Sequence, residues 1–191
     1  MGRPVLVVIG GLPGVGKTTI ARELLRRSPG PSLRIDTIEQ ALLRADPERP
    51  VDAAGYAVAY ALASSHLELG LRVVVDGVNP LAITRRHWRA VAAEAGAGLL
   101  EVEVVCRDAV EHRRRVESRT PDIAGHVLPG WPDVQAHRYE RWDRPRLELD
   151  SSKLPPEAAA ARLLEAVAHL DARAPSSGTD TDIGQGNETG A

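Results

Sequence analysis

Short apolar runs alternate along the chain with longer stretches in which apolar residues recur every three or four positions. A bounded apolar run is the mark of a buried strand, and the three-to-four spacing is that of a helix with one buried face. The pattern predicts strands at 4–10, 32–35, 71–75, 99–106 and 146–149. It predicts helices at 17–27, 37–45, 52–69, 81–95, 108–119, 133–141 and 156–172. Gly70 and Gly96 stand where two of these helices should stop. In the fourth strand Glu101 and Glu103 alternate with Leu100, Val102 and Val104, which predicts one partly exposed face. Alternating strands and helices argue for an α/β fold, a parallel sheet with helices on both faces. In such sheets ligands bind beyond the carboxyl ends of the strands. The segment 173–191 is rich in Ser, Gly, Thr and Asp and nearly free of apolar residues. It cannot offset its own ordering entropy and is expected to be a disordered tail, leaving 1–172 as one domain.

Between the first strand and the first helix lies Gly11-Leu12-Pro13-Gly14-Val15-Gly16-Lys17-Thr18, followed by Thr19. This fits G-x-x-x-x-G-K-[ST], the P-loop that cradles nucleotide phosphates. Its glycines let backbone N–H groups turn inward as a nest. Lys17 can reach the β- and γ-phosphates, and the Thr18 hydroxyl can hold Mg²⁺. A helix starting at Lys17 points its positive dipole end at the same phosphates.

Composition narrows the rest. The 191 residues suit one domain whose core is built from Ala, Val and Leu, since there is no Phe and only three Trp and three Tyr. A net charge of −2 offers no electrostatic argument for nucleic acid or an anionic membrane as partner. No apolar stretch approaches the length that spans a bilayer. The single Cys106 excludes an intramolecular disulfide, suits a reducing cytoplasm, and is expected as a packed core thiol. The six histidines show no metal-ligand spacing. Nothing in the sequence signals an oligomeric state.

Asp36 and Asp76 end the second and third strands and share the P-loop's rim. Asp36 can take the proton of a substrate hydroxyl and orient it for in-line attack, or cap the helix that follows. Asp76, after three valines, is either a Walker-B-type carboxylate that holds Mg²⁺ or a turn residue of Asp-Gly. Gly77 stands where mechanical ATPases carry the glutamate that activates water. Asn79 either orients substrate or caps the helix begun by Pro80. Arg115 and Arg119, spaced i, i+4, share one helical face just before a Pro/Gly-rich segment. They form either a lid over phosphates, at about 107–132, or a solvated face paired with Glu111. Arg85, Arg86 and Arg89 read as a solvated face. Trp131, Tyr139 and Trp142 either line a pocket or anchor the core.

Together these residues resemble the small P-loop kinases of the nucleoside-monophosphate-kinase fold. They are similar to the branch with polynucleotide 5′-kinase and chloramphenicol phosphotransferase, and to bacterial AAA-family ATPases. The resemblance covers roughly 5–170 and implies a five-stranded parallel sheet, a small helical lid, ATP, Mg²⁺ and transfer of the γ-phosphate to an acceptor. It implies that Asp36 is the general base and that Asp76 is the metal-site aspartate. Arg115-Val116-Glu117-Ser118-Arg119 matches the R-x-x-x-R of the lid, the first arginine against adenine and the second on the phosphates. Residues 150–154 are implied to border the base. Polynucleotide kinases carry arginine three residues after the catalytic aspartate, where this chain has Glu39. That departure favours a small hydroxylated acceptor. The expected activity is therefore an ATP- and Mg²⁺-dependent phosphotransferase acting on a small-molecule hydroxyl. The alternatives are a nucleotide-binding switch, an ATP hydrolase, or a polynucleotide or nucleotide-sugar kinase.

Overall fold

The computed structural model describes residues 3–172. The elements run β1 (Val5–Gly10), α1 (Lys17–Arg27), β2 (Ser32–Arg34), α2 (Ile35–Ala45), α3 (Ala54–Glu68) and β3 (Val73–Asp76). They continue α4 (Ala82–Glu94), β4 (Gly98–Val105), α5 (Ala109–Glu117), α6 (Trp131–Ala136), β5 (Leu147–Asp150) and α7 (Pro156–Ala172). The strands form one parallel sheet in the order β2-β3-β1-β4-β5. The expected tail at 173–191 lies outside the described residues.

Strand alternation sorts β1 onto two cores. Val5, Val7 and Ile9 meet Ile20 and Leu24 of α1 and Leu163 of α7 on one face. Leu6 and Val8 meet Ala63 and Leu67 of α3 and Trp88 of α4 on the other. Successive side chains point to opposite faces, so a fully apolar strand must be covered on both. Each large aliphatic side chain so buried contributes about 1.5–3 kcal/mol. Gly55, Ala59, Ala63 and Leu67 are the buried positions of α3, spaced by four. This stripe of small residues lets the helix lie close to the sheet. No helix of the described residues is long and apolar enough to cross a membrane.

The structure departs from the sequence pattern in four places that bear on the site. Helix α2 begins at Ile35, directly from the last paired residue of β2 (Arg34, opposite Asp76), so Asp36, just past the strand, already sits in the first turn of the helix. The helix cap is Arg34, which removes the capping role from Asp36. Helix α6 starts two residues earlier than expected and ends at Ala136. Pro132 is tolerated in its first turn, where an N–H would lack an intrahelical partner, and Gly130 N–H donates to the Asp133 carboxylate at 2.8 Å. Helix α5 stops at Glu117, which leaves Arg119 outside it. Finally, the β4 carboxylates are covered. Arg146 Nε donates to Glu103 at 2.6 Å, and Arg89 of α4 donates to Glu101 at 3.0 Å.

Candidate functional site

The P-loop follows β1 at the carboxyl edge of the sheet. Gly14 has φ +84°, and a Cβ there would lie 2.5 Å from Val116 Cγ2 of α5. Only glycine suits that combination of left-handed backbone and close packing. Val15 is buried, Leu12 packs on the first core, Pro13 is half-buried and Thr19 is exposed. Gly16 precedes α1 in a left-handed conformation, and no side chain caps the helix. The first N–H groups of α1 are therefore available to an anion in front of it. Lys17 is buried, and its ammonium donates to the Leu12 carbonyl at 3.0 Å. Burial lowers its pKa, opposed by Asp76 and Asp36.

Thr18 Oγ1 donates to Asp76 Oδ2 at 2.6 Å, which joins the start of α1 to the end of β3. Burial raises the Asp76 pKa, with Lys17 and the Thr18 hydroxyl acting against it. These are hard oxygen donors, and among the described residues no cluster of three His, Cys, Asp or Glu side chains could hold a metal alone. One or two protein oxygens supplemented by phosphate oxygens is how Mg²⁺ is commonly held, so the donor set fits Mg²⁺ and the uncapped loop fits a nucleotide. A Cβ on Gly77 would lie 2.6 Å from Ile35 Cγ1, so the position beside Asp76 has no room for a glutamate.

Asp36 lies on the same rim. Its Oδ2 is 3.6 Å from Arg34 Nη2, and Arg34 Nε is 3.9 Å from Asp76 Oδ2. One turn on, Glu39 packs against Gly55 of α3. Burial and then the Asp36 charge raise its pKa from 4.5 to about 7. Tyr56 of α3 accepts the Asn79 N–H at 2.9 Å, and burial raises the pKa of its phenol. Asn79 does not cap α4, whose cap is Leu81. Its side chain instead accepts the Thr84 hydroxyl at 2.8 Å, with the backbone at φ +50°.

The two candidate lid arginines part company. Arg115 donates to Glu111 at 2.6 Å, to Ser151 Oγ at 2.9 Å and to the Ser151 carbonyl at 3.1 Å. It thereby links α5 to the loop after β5, beside Gly16. Arg119 is half-buried, its Nη1 has no hydrogen-bond partner, and its charge contributes to lowering the Lys17 pKa. Arg107, Arg113 and Arg114 pair at the surface with Glu148, Glu117 and Glu111.

Three features escaped the sequence reading. His112 is buried, and its Nε2–H donates to the Pro13 carbonyl at 2.8 Å, with the Trp131 ring edge-on at 5.2 Å. Its spacing of four from Val116 was the available signal. Arg85 is fully buried, not solvated. It donates to the carbonyls of Glu140 at 3.2 Å and Arg141 at 2.9 Å and stacks 4.7 Å from Trp142. Asp122, in the irregular stretch before α6, accepts both Nη atoms of Arg34, at 2.7 and 3.0 Å, and Arg22 at 2.5 Å. Cys106 is half-buried at the margin of the first core, not packed within it.

The fold recurs in solved structures. The Mycobacterium tuberculosis APS kinase CysC, in complex with AMPPNP and APS, is 21% identical with a TM-score of 0.69, over 88% of this chain and 99% of that one. A gluconokinase from Sinorhizobium meliloti 1021 is 20% identical with a TM-score of 0.58, over 88% and 98%. Chaetomium thermophilum Kti12, in complex with ADP-AlF3, is 23% identical with a TM-score of 0.62, over 87% and 98%. At these identities the likeness is one of fold. No curated protein sequence matches the chain. The family model described as an AAA domain matches residues 6–126, from β1 through the stretch that holds Asp122. The chain thus belongs to the AAA domain family, and its five-stranded parallel sheet gives it the P-loop kinase fold of nucleoside-monophosphate-kinase type.

Proposed function

We propose that this protein is an ATP- and Mg²⁺-dependent phosphotransferase that moves the γ-phosphate to a hydroxyl of a small molecule, with Asp36 as base. The observation that carries the reading is the convergence of Lys17, the Thr18–Asp76 pair and Asp36 on one rim, with Arg34 bridging the two carboxylates. Chains that share the fold include an APS kinase and a gluconokinase, which supports a kinase.

In the proposed reaction the acceptor oxygen bonds to the γ-phosphorus while the bond from that phosphorus to the β–γ bridging oxygen breaks. ADP leaves, and the hydroxyl proton passes to the Asp36 carboxylate and on to solvent. Lys17 and the α1 N–H groups hold the migrating charge, and Arg119 brings a guanidinium to it. Arg115 fixes the nucleotide end against Ser151. Mg²⁺, held through Thr18 and Asp76, would supply charge neutralisation between the phosphates. Residues 107–132 act as the lid that keeps water out, and 1–172 act as one kinase domain in the cytoplasm.

The Kti12 structure with ADP-AlF3 keeps a hydrolase or switch in view. The contact of Gly77 with Ile35 speaks against it, since a water-activating glutamate would clash there. The deciding measurement is ADP release from Mg-ATP with pooled small-molecule alcohols, wild type against Asp36→Asn. Acceptor-dependent release that falls about 10²–10⁴-fold in the variant, with nucleotide affinity retained, establishes the reading. Slow, acceptor-independent release equal in both proteins overturns it.

A further inference from the structure

Beside the phosphate rim a cavity of about 410 Å³ opens between α1, β2, α2 and α3. Thr18 and Asp76 line it, Ile38 and Leu62 supply apolar wall, and Arg22 and Arg34 line it as well. Besides the Asp76 carboxylate, which accepts from Thr18, the charged groups that line the cavity are the two guanidiniums. Arg34 has 13% of its side chain exposed and Arg22 57%. One carboxylate spans both, and it comes from far along the chain. Asp122 accepts two parallel bonds from Arg34 and a third from Arg22. It stands in the irregular stretch between α5 and α6, outside any helix or strand.

We propose that the acceptor carries an anionic group, a carboxylate, sulfate or phosphate, which binds Arg34 and Arg22 in the place that Asp122 holds here. The inference rests on the phosphotransferase reading of this same rim. A planar guanidinium with two parallel N–H donors matches an oxyanion edge. If Asp122 withdrew for a neutral acceptor, a largely buried Arg34 would lose both of its carboxylate hydrogen bonds and keep only the longer pairs with Asp36 at 3.6 Å and Asp76 at 3.9 Å, which is costly. An anionic acceptor replaces the carboxylate charge for charge, so the exchange is nearly balanced and neutral alcohols are discriminated against. Asp122 thereby competes with the substrate, and its carboxylate must give up Arg34 and Arg22 as the anionic group of the substrate takes its place.

The test uses the whole protein saturated with Mg-AMPPNP, which keeps added anions out of the P-loop. Inorganic sulfate, inorganic phosphate and malonate are titrated by calorimetry, with glycerol as the neutral control. Asp122→Asn is expected to bind the anions about tenfold more tightly than wild type, because the internal competitor is weakened. Adding Arg22→Gln or Arg34→Gln to it should abolish the gain. Arg22 is exposed, so its variant reads out even where the Arg34 variant fails to fold. Preference for sulfate and phosphate over malonate assigns a tetrahedral oxyanion, and the reverse assigns a carboxylate. Equal affinity in wild type and Asp122→Asn, or a gain that survives loss of either arginine, overturns the proposal while leaving the phosphotransferase reading standing. Failure of wild type to bind Mg-AMPPNP removes both.

Discussion

The His112 imidazole donates through Nε2 to the backbone carbonyl of Pro13, so α5 is tied directly to the P-loop. A carbonyl can only accept, which fixes the proton on Nε2. Val116, one turn on, fills the space beside Gly14 that a Cβ would take. The P-loop is thus held from above as well as from the sheet. Removing the bond in His112→Ala should cost about 1 kcal/mol of loop order, read as roughly fivefold weaker binding of Mg-AMPPNP in a calorimetric titration. Unchanged affinity would show that the contact is incidental.

The Thr18–Asp76 pair makes a separate prediction about metal dependence. Asp76→Asn keeps an acceptor for the Thr18 hydroxyl but loses the anionic oxygen. Nucleotide affinity in the presence of Mg²⁺ should fall about tenfold or more, as for other losses close to a metal. With EDTA present, wild type and variant should bind alike. An equal loss under both conditions would assign Asp76 to holding the loop rather than the metal.

Glu39 should make stability fall as pH rises. Its folded pKa, raised by burial and then by Asp36, is about 7 against an ordinary 4.5. Between those values the folded protein binds more protons than the unfolded chain, so unfolding free energy decreases with pH. The contribution is full below the ordinary value and is lost as pH rises through 7. Glu39 is only partly buried, so solvent screening reduces the effect to about 1 kcal/mol. Urea midpoints taken at several pH values should show this slope in wild type and a flatter one in Glu39→Gln. A variant slope as steep as wild type rejects the assignment.

Arg85 is expected to matter for stability rather than for chemistry. Arg85→Met leaves the carbonyls of Glu140 and Arg141 without donors and removes the cation from Trp142. The cost should be about 3 kcal/mol, the scale for breaking a buried charged network. Urea unfolding measures it, and Mg-AMPPNP affinity should stay within about twofold, since the hydrogen bonds of Arg85 go to the carbonyls of Asn79, Pro80, Glu140 and Arg141 and not to the P-loop. A variant as stable as wild type would refute the role.

The parts of this molecule that were legible in advance are those specified locally. Val5 to Ile9 form an unbroken apolar run into a glycine loop, which leaves little freedom for β1, the P-loop and α1. Asp76 follows from three valines. What stayed hidden depends on distant partners. Ile35 suits a strand or a helix start, so the switch that puts Asp36 in a helical turn could not be read from its neighbours. Arg85 sits in Thr84-Arg85-Arg86-His87, a polar stretch, and its burial needs carbonyls about fifty-five residues away. The bond from Arg34 to Asp122 spans 88 positions and leaves no local trace.

The place of β2 in the sheet has an evolutionary consequence. It is a three-residue edge strand, bonded only to β3, while the P-loop and Asp76 rest on the inner strands β1 and β3. Most of the wall of the large cavity is drawn from that margin and the helices beside it. Substitutions there perturb one side of one short strand, whereas substitutions in β1 or β3 disturb pairing on both sides. A lineage on this scaffold can therefore change what its cavity admits by altering its periphery, with the P-loop and the Thr18–Asp76 pair inherited intact.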